Sequence, residues 1–153
     1  MTVADFRSPD LRFSTEETVR LFRQAPLDCQ LATLWQAHNT LSHAFGTVAP
    51  LALFSQAVQR LVQQVQQMSR EEQLDICREI LGHADTRFAH AYQDLSPNMK
   101  LAFWHRLFAQ GRNLPWSTIV HQAHRQADTS LLQSRLTTMG LNERIHFLQQ
   151  VIA

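Results

Sequence analysis

Residues 96–111 read SPNMKLAFWHRLFAQG. Ser96 is a good N-cap, and Pro97 stands where the first helical residue would, a position whose N–H has no partner to lose. Behind them Met99, Phe103, Trp104, Leu107 and Phe108 recur at the three- and four-residue spacings of one helix face, and Gly111 offers a stop. The stretch therefore predicts a capped helix with a heavy aromatic load.

The same pattern extends in both directions. Ser69 and Glu72 form a capping box that opens a helix holding Leu74, Cys77, Ile80 and Leu81, and Gly82 predicts its end. Before it, Phe54, Ala57, Val58, Leu61, Val62, Val65 and Met68 predict an apolar helix face backed by a Gln-rich solvated one. From Leu27 the positions Leu31, Leu34, Trp35, Leu41 and Phe45 predict another helix, with His38 on or beside the greasy face and Gly46 and Pro50 ending it. Pro26 separates that helix from a short one opened by a second capping box, Ser14 and Glu17, with Val19 and Phe22 facing inward. A short helix is expected around Phe88 to Tyr92. Three more are expected over 116–126, over 130–139 (closed by Gly140) and from Glu143 to the end. The alternation of a strand is rare, and no repeat or linker interrupts the chain. The expectation is an all-α fold: residues 1–25 an arm and short helix, residues 26–153 the main helical domain.

Composition narrows the function. The 153 residues suffice for a real core, and 14 basic side chains scattered among 13 acidic ones, for a net charge of +1, make no nucleic-acid stripe. Cys29 and Cys77 are too few for a disulfide framework, which favours a reduced, cytoplasmic protein. The N-terminus carries no apolar signal segment. The longest apolar run, residues 48–54, contains Pro50 and is too short to cross a membrane. Catalytic patterns are missing as well. There is no GxSxG, no HExxH, no Gly-rich phosphate loop and no pair of carboxylates placed as acid and base. Asp85, Asp94 and Asp128 fall at turns, and Cys77 reads as a buried structural thiol. His121 and His124, three apart on a helix, can share a face, but no Cys or carboxylate stands at a zinc spacing, so solvated histidines are the simpler reading. Trp35 and Trp104 sit on apolar faces with His38 and His105 close by. Core packing explains each Trp alone, whereas an aromatic beside a polar group also suits a mostly apolar pocket. No enzyme is expected.

The segment from Ser96 to Trp104 resembles the SPNxKLxFW motif of the family formed by the helical carotenoid proteins and the N-terminal domain of the orange carotenoid protein. The stretch from Gln30 to His38, reading QLATLWQAH, is similar to that family's QLALIWxAY helix. The continuation to Ala49 and Pro50, the Gln67-Met68-Ser69 corner, Cys77, and Asp85-Thr86 leading to Tyr92 follow in step. The resemblance implies two interleaved four-helix bundles with a ketocarotenoid (canthaxanthin, echinenone or a relative) lying non-covalently in the groove between them. It implies ring contacts from Trp35 and Trp104, and a polyene lined by Leu31, Leu34, Thr47, Ile76, Cys77 and Leu101. His38 and His105 stand where the family has tyrosines near the ring, and Phe108 where it has a glycine. A neutral imidazole can still stack, and its ordinary pKa makes pH-dependent binding an expectation.

The implied role is photoprotection, as a singlet-oxygen quencher or carotenoid carrier, by a free-standing, cytoplasmic or thylakoid-peripheral protein that is a monomer or weak homodimer. Its implied partners are carotenoid, the phycobilisome antenna and a carotenoid-carrier homologue. An arginine of the two-domain protein's interdomain contact falls at Gln149, which weakens the expectation of antenna docking. Two other readings compete. One is a pigment-free helical interaction module, prompted by His38, His105 and Phe108. The other is a metal-dependent enzyme built on the histidines.

Overall fold

The computed structural model describes residues 15–48, 52–110 and 116–153, without the side chains of residues 41–48, 53, 110, 117 and 124. The elements in chain order are α1 (residues 15–24), α2 (Leu27–Val48), a 3-10 turn (Ala52–Phe54), α3 (Gln56–Gln66), α4 (Arg70–Leu81), α5 (Arg87–Gln93), α6 (Pro97–Gln110), α7 (Trp116–Gln126), α8 (Ser130–Thr138) and α9 (Leu141–Val151). Among the described residues there is no strand. No described helix is long and apolar enough to cross a membrane.

The caps act as the sequence suggests. The Ser69 hydroxyl accepts from Glu72 N at 3.2 Å, which gives one orphaned N–H at the start of α4 a partner, and donates to Glu72 Oε1 at 3.0 Å. The Ser96 hydroxyl accepts from Met99 N at 3.3 Å and starts α6. Ser14 lies outside the described residues, but Val19 and Phe22 of α1 are buried as expected.

Several limits differ from the sequence reading. Phe54 was expected on the buried face of α3, and it is 75% exposed. The Ser55 hydroxyl accepts from Val58 N and begins the helix there, so Phe54 is left in the preceding 3-10 turn. Ala57, also expected on that face, is exposed in the first turn, and the buried face is Val58, Leu61, Val62 and Val65. Helix α2 runs through Gly46 to Val48 rather than stopping at the glycine. At the end of α4 the left-handed residue is His83 (φ 54°), not Gly82 (φ −84°). Ala84 N closes the helix on Glu79 O at 2.9 Å. Gly82 has a different reason to be small. A Cβ there would lie 3.1 Å from Arg78 O and 3.4 Å from a methyl of Leu27, so the absent side chain lets α4 approach the start of α2. Helix α9 opens at Leu141, two residues before the expected Glu143.

Helices α2 and α6 are the two spines. α2 packs on α4, α6, α7 and α9; α6 packs on α2, α3, α9 and the 3-10 turn. That position explains why α6 is apolar on more than one face: Leu101, Ala102, Phe103, Trp104, Leu107 and Phe108 are all buried. α2 divides its faces. Leu31 and Leu34 enter the main core, while Cys29 and Ala32 meet Ala123 of α7, small residues that let the two helices close up. Arg78 donates to Asp28 through Nε at 2.6 Å and Nη2 at 3.4 Å, a two-point tie between α4 and the first turn of α2.

Candidate functional site

The site grows from α6. Trp104 is 1% exposed, and its Nε1 donates to the Tyr92 hydroxyl at 2.9 Å. That hydroxyl in turn donates to the carbonyl of Ile152, joining α6, α5 and the C-terminal end of α9. Burial raises the Tyr92 phenol above its ordinary pKa, so it stays a proton donor. Phe103 stands edge-on to Trp104, with centroids 5.3 Å apart at 81°. One turn on, Phe108 stacks on Trp104 at 5.5 Å and 27°, and meets Trp116 of α7 edge-on at 5.0 Å.

Phe108 also touches His38 of α2, with centroids 5.3 Å apart. His38 Nε2 lies 3.1 Å from His105 Nδ1, one nitrogen donating and the other accepting according to the tautomers. Burial, and then the neighbouring His105, push the His38 imidazole down to about 4. Burial, and then Arg106, lower His105 as well. At neutral pH both rings are uncharged, and a neutral imidazole pair is what an apolar seam tolerates.

Most of the other residues implicated by sequence lie in the main core that this ladder joins. Leu31, Leu34, Ile76, Cys77 and Leu101 are each at most 5% exposed and belong to one continuous apolar cluster. Trp35 is half-buried and packs on that cluster, and His105 is half-buried beside His38. The Thr47 side chain lies outside the described residues. Burial pushes the Cys77 thiol up to about 12, and Cys29, also raised by burial, donates its Sγ–H to Ala123 O at 3.3 Å. Neither thiol has the character of a nucleophile.

Sequence reasoning passed over three features. Tyr92, the sole tyrosine, served only as the end of a short helix and a landmark of the resemblance, although a large ring with a polar tip signals a buried partner. Trp116 was read as a helix start rather than as part of the aromatic ladder. A cleft of about 240 Å³ between α2, α8 and α9 had no signal. None of the residues predicted for the site lines it. Its polar groups pair among themselves: Gln133 Nε2 donates to Gln36 Oε1 at 2.6 Å, and Arg144 donates to the α8 carbonyls of Leu136 and Thr137. Among the described residues no group of three or more His, Cys, Asp or Glu is arranged to hold a metal ion. His121 is exposed, and the side chain of His124 lies outside the described residues.

Comparison with known proteins places this architecture. A family model described as "Orange carotenoid protein, N-terminal" matches residues 10–153. An orange carotenoid-binding domain-containing protein of Nostoc sp. is 30% identical over 139 residues, 89% of this chain and 80% of that one. The orange carotenoid-binding protein of Synechocystis sp. is 31% identical over 90 residues, 59% of this chain but only 28% of the larger protein. Among solved structures, the Red Carotenoid Protein of Anabaena (Nostoc) sp. PCC 7120, described as binding a mixture of carotenoids, superposes with a TM-score of 0.64. The superposition covers 94% of this chain and 96% of that one at 22% identity, a likeness of fold.

Proposed function

The chain belongs to the orange carotenoid protein N-terminal-domain family, and from that premise we propose that it holds a carotenoid non-covalently along the seam between α2, α4 and α6. The observation that supports this most directly is the aromatic ladder of Trp104, Phe108, His38 and His105 at the end of a continuous apolar cluster. In chemistry the residues fit such a guest. Leu31, Leu34, Ile76, Cys77 and Leu101 offer an apolar lining for a polyene, and burial of its surface returns about 25 cal/mol per Å². Trp35 and Trp104, with His38, His105 and Phe108, would flank the terminal ring through dispersion and stacking. In the described structure Trp104, Phe108, His38 and His105 lie against one another, so a guest enters by parting α2 from α6.

A bound ketocarotenoid such as canthaxanthin or echinenone would supply the light absorption and singlet-oxygen quenching. The protein's part is to hold the pigment, exclude water and set how much of it solvent reaches. In this reading the chain acts as a photoprotective carotenoid carrier, handing pigment to or taking it from a homologous carrier, with the phycobilisome antenna as a further partner. Co-expression with a ketocarotenoid pathway tests it: the purified protein should be coloured, with a visible band that survives gel filtration. A colourless protein under those conditions would sink the reading.

A second reading has its own observation. Phe108 fills the space between Trp104, Trp116 and His38, and Trp104 is tied to Tyr92, which together describe a closed core. In that case the chain is a pigment-free helical interaction module. It then stays colourless on co-expression and retains protein partners in a pull-down.

A further inference from the structure

Phe108 touches two tryptophans whose indole N–H groups are in different states. Trp104 stacks on it with centroids 5.5 Å apart, and Trp116, the first residue of α7, meets it at 5.0 Å. Trp104 Nε1 donates to the Tyr92 hydroxyl at 2.9 Å. Trp116 is 6% exposed, its Nε1 is out of reach of solvent, and among the described residues that nitrogen has no hydrogen-bond acceptor. A buried donor in that state has given up its water and gained nothing in return, and native structures keep few of them. This one stands on the aromatic ladder, beside the ring that lies between Trp104 and His38.

We propose that the Trp116 indole N–H donates to a ring ketone of the bound carotenoid and so selects ketocarotenoids over hydrocarbon carotenes. The proposal rests on the carotenoid reading above and names the residue that sets its pigment class. Phe108 contacts Trp104, Trp116 and His38, so a guest ring that takes its place inherits those neighbours. With 5.0 Å between the Phe108 and Trp116 centroids, a carbonyl on the rim of such a ring comes within hydrogen-bond reach of the indole. A ketone oxygen accepts and brings no donor of its own, so it meets the need of Trp116 without creating another. Trp104 does not serve in the same way, because its N–H is already given to Tyr92. A carotene with the same skeleton and no oxygen fills the same space by dispersion but leaves the Trp116 N–H unmet. The two pigments therefore differ by one hydrogen bond in a site that excludes water, where a missing polar partner is discriminated most strongly.

Canthaxanthin, with a ketone on each ring, and β-carotene, which has neither, are the probes. Each is supplied by co-expression, and carotenoid per protein is measured after gel filtration at matched pigment content of the cells. The protein should retain canthaxanthin about tenfold or more over β-carotene, the equivalent of about 1.4 kcal/mol. Trp116→Phe keeps an aromatic ring and loses the donor, so its preference should fall to about twofold or less. His38 and His105 remain in that variant, so a preference that persists assigns the ketone to another donor and overturns the proposal. The infrared carbonyl stretch of bound canthaxanthin should show a component below its frequency in hexane, and Trp116→Phe should lose that component. If Trp116→Phe lacks native far-UV signal, the unaltered protein decides: a carbonyl stretch at the hexane position overturns the proposal, and a lowered one upholds it. A protein that stays colourless with both pigments removes the carotenoid reading and this inference with it. A coloured protein that holds the two pigments equally overturns the inference alone.

Discussion

Replacing Trp104 by alanine asks most of the structure. The side chain is 1% exposed, stacked on Phe108, edge-on to Phe103 and hydrogen-bonded to Tyr92. Truncating a buried aromatic costs about 3–5 kcal/mol through lost transfer energy and the cavity left behind. Tyr92 keeps its donor bond to Ile152 O but loses the N–H it accepts, which adds about 1 kcal/mol. A chain of this length has on the order of 8–20 kcal/mol of stability in total, so Trp104→Ala should remove about a fifth or more. Urea unfolding followed by far-UV circular dichroism should show the midpoint falling at constant slope, and the melting temperature dropping by about 10 °C or more. Trp104→Phe keeps most of the volume and should cost roughly half as much. Tyr92→Phe combined with Trp104→Phe should show a coupling of about 1 kcal/mol. A loss below about 1 kcal/mol for Trp104→Ala would refute the reasoning. It would mean that the indole lines an open groove rather than closing a core.

Ser69→Ala removes the α4 cap bond to Glu72 N and the hydroxyl's bond to the Glu72 carboxylate, and should cost about 1 kcal/mol, seen as a melting temperature lower by about 2–4 °C. Phe54→Ser, at an exposed position, should change stability by less than about 0.5 kcal/mol, whereas a loss of 2 or more would return Phe54 to the core. Cys29 and Cys77, both buried with raised thiol pKa, should resist a thiol reagent in native buffer and react fully in denaturant. The stability of His38 in its neutral form is whole above pH 6.5 and lost as pH falls toward about 4. At about 1.4 kcal/mol per unit the full effect is about 3 kcal/mol, and solvent reaching the pair past half-buried His105 reduces it to about 1–2, measurable as a falling urea midpoint.

What the sequence could and could not display follows from range. The caps at Ser69 and Ser96 are local: a hydroxyl and a backbone N–H three residues away, so their helices are legible from spacing alone. Phe54 shows where period misleads. It lies four residues before Val58, in step with the apolar face, yet a hydroxyl at Ser55 takes the helix start and leaves the ring outside. Gly82 misleads in another way, since its composition suggests a left-handed stop while its role is close packing on Leu27. The site divides similarly. Each Trp–His pairing lies on one helix and can be read there. The contact of His38 with His105, and of Trp104 with Tyr92, joins separate helices and depends on the angle at which they cross. Thr47, whose role rests on resemblance, lies in a part of α2 without described side chains.

The two halves of the aromatic ladder differ in how firmly they are held, and that difference decides how a guest can enter. Trp104 is fixed on one side by a hydrogen-bonded chain through Tyr92 to Ile152 and on the others by Phe103 and the core. Across the seam, α2 meets the ladder through the His38–Phe108 contact, the His38–His105 ring contact and the bond between those imidazoles. Such ring contacts are worth about 0.5–1.5 kcal/mol each, and the bond a similar amount, so about 2–4 kcal/mol opposes opening at this point. A polyene end that buries on the order of 300 Å² of apolar surface gains about 7 kcal/mol. The gain exceeds the cost of parting the seam, whereas displacing Trp104 as well would consume about all of it. A guest should therefore displace His38, His105 and Phe108 and come to rest against an unmoved Trp104. Phe108→Ala, which removes a ring lying between Trp104 and His38, should raise pigment yield on co-expression while lowering apo-protein stability by about 3–5 kcal/mol. A variant that loses stability without gaining pigment would show that the seam does not admit the guest.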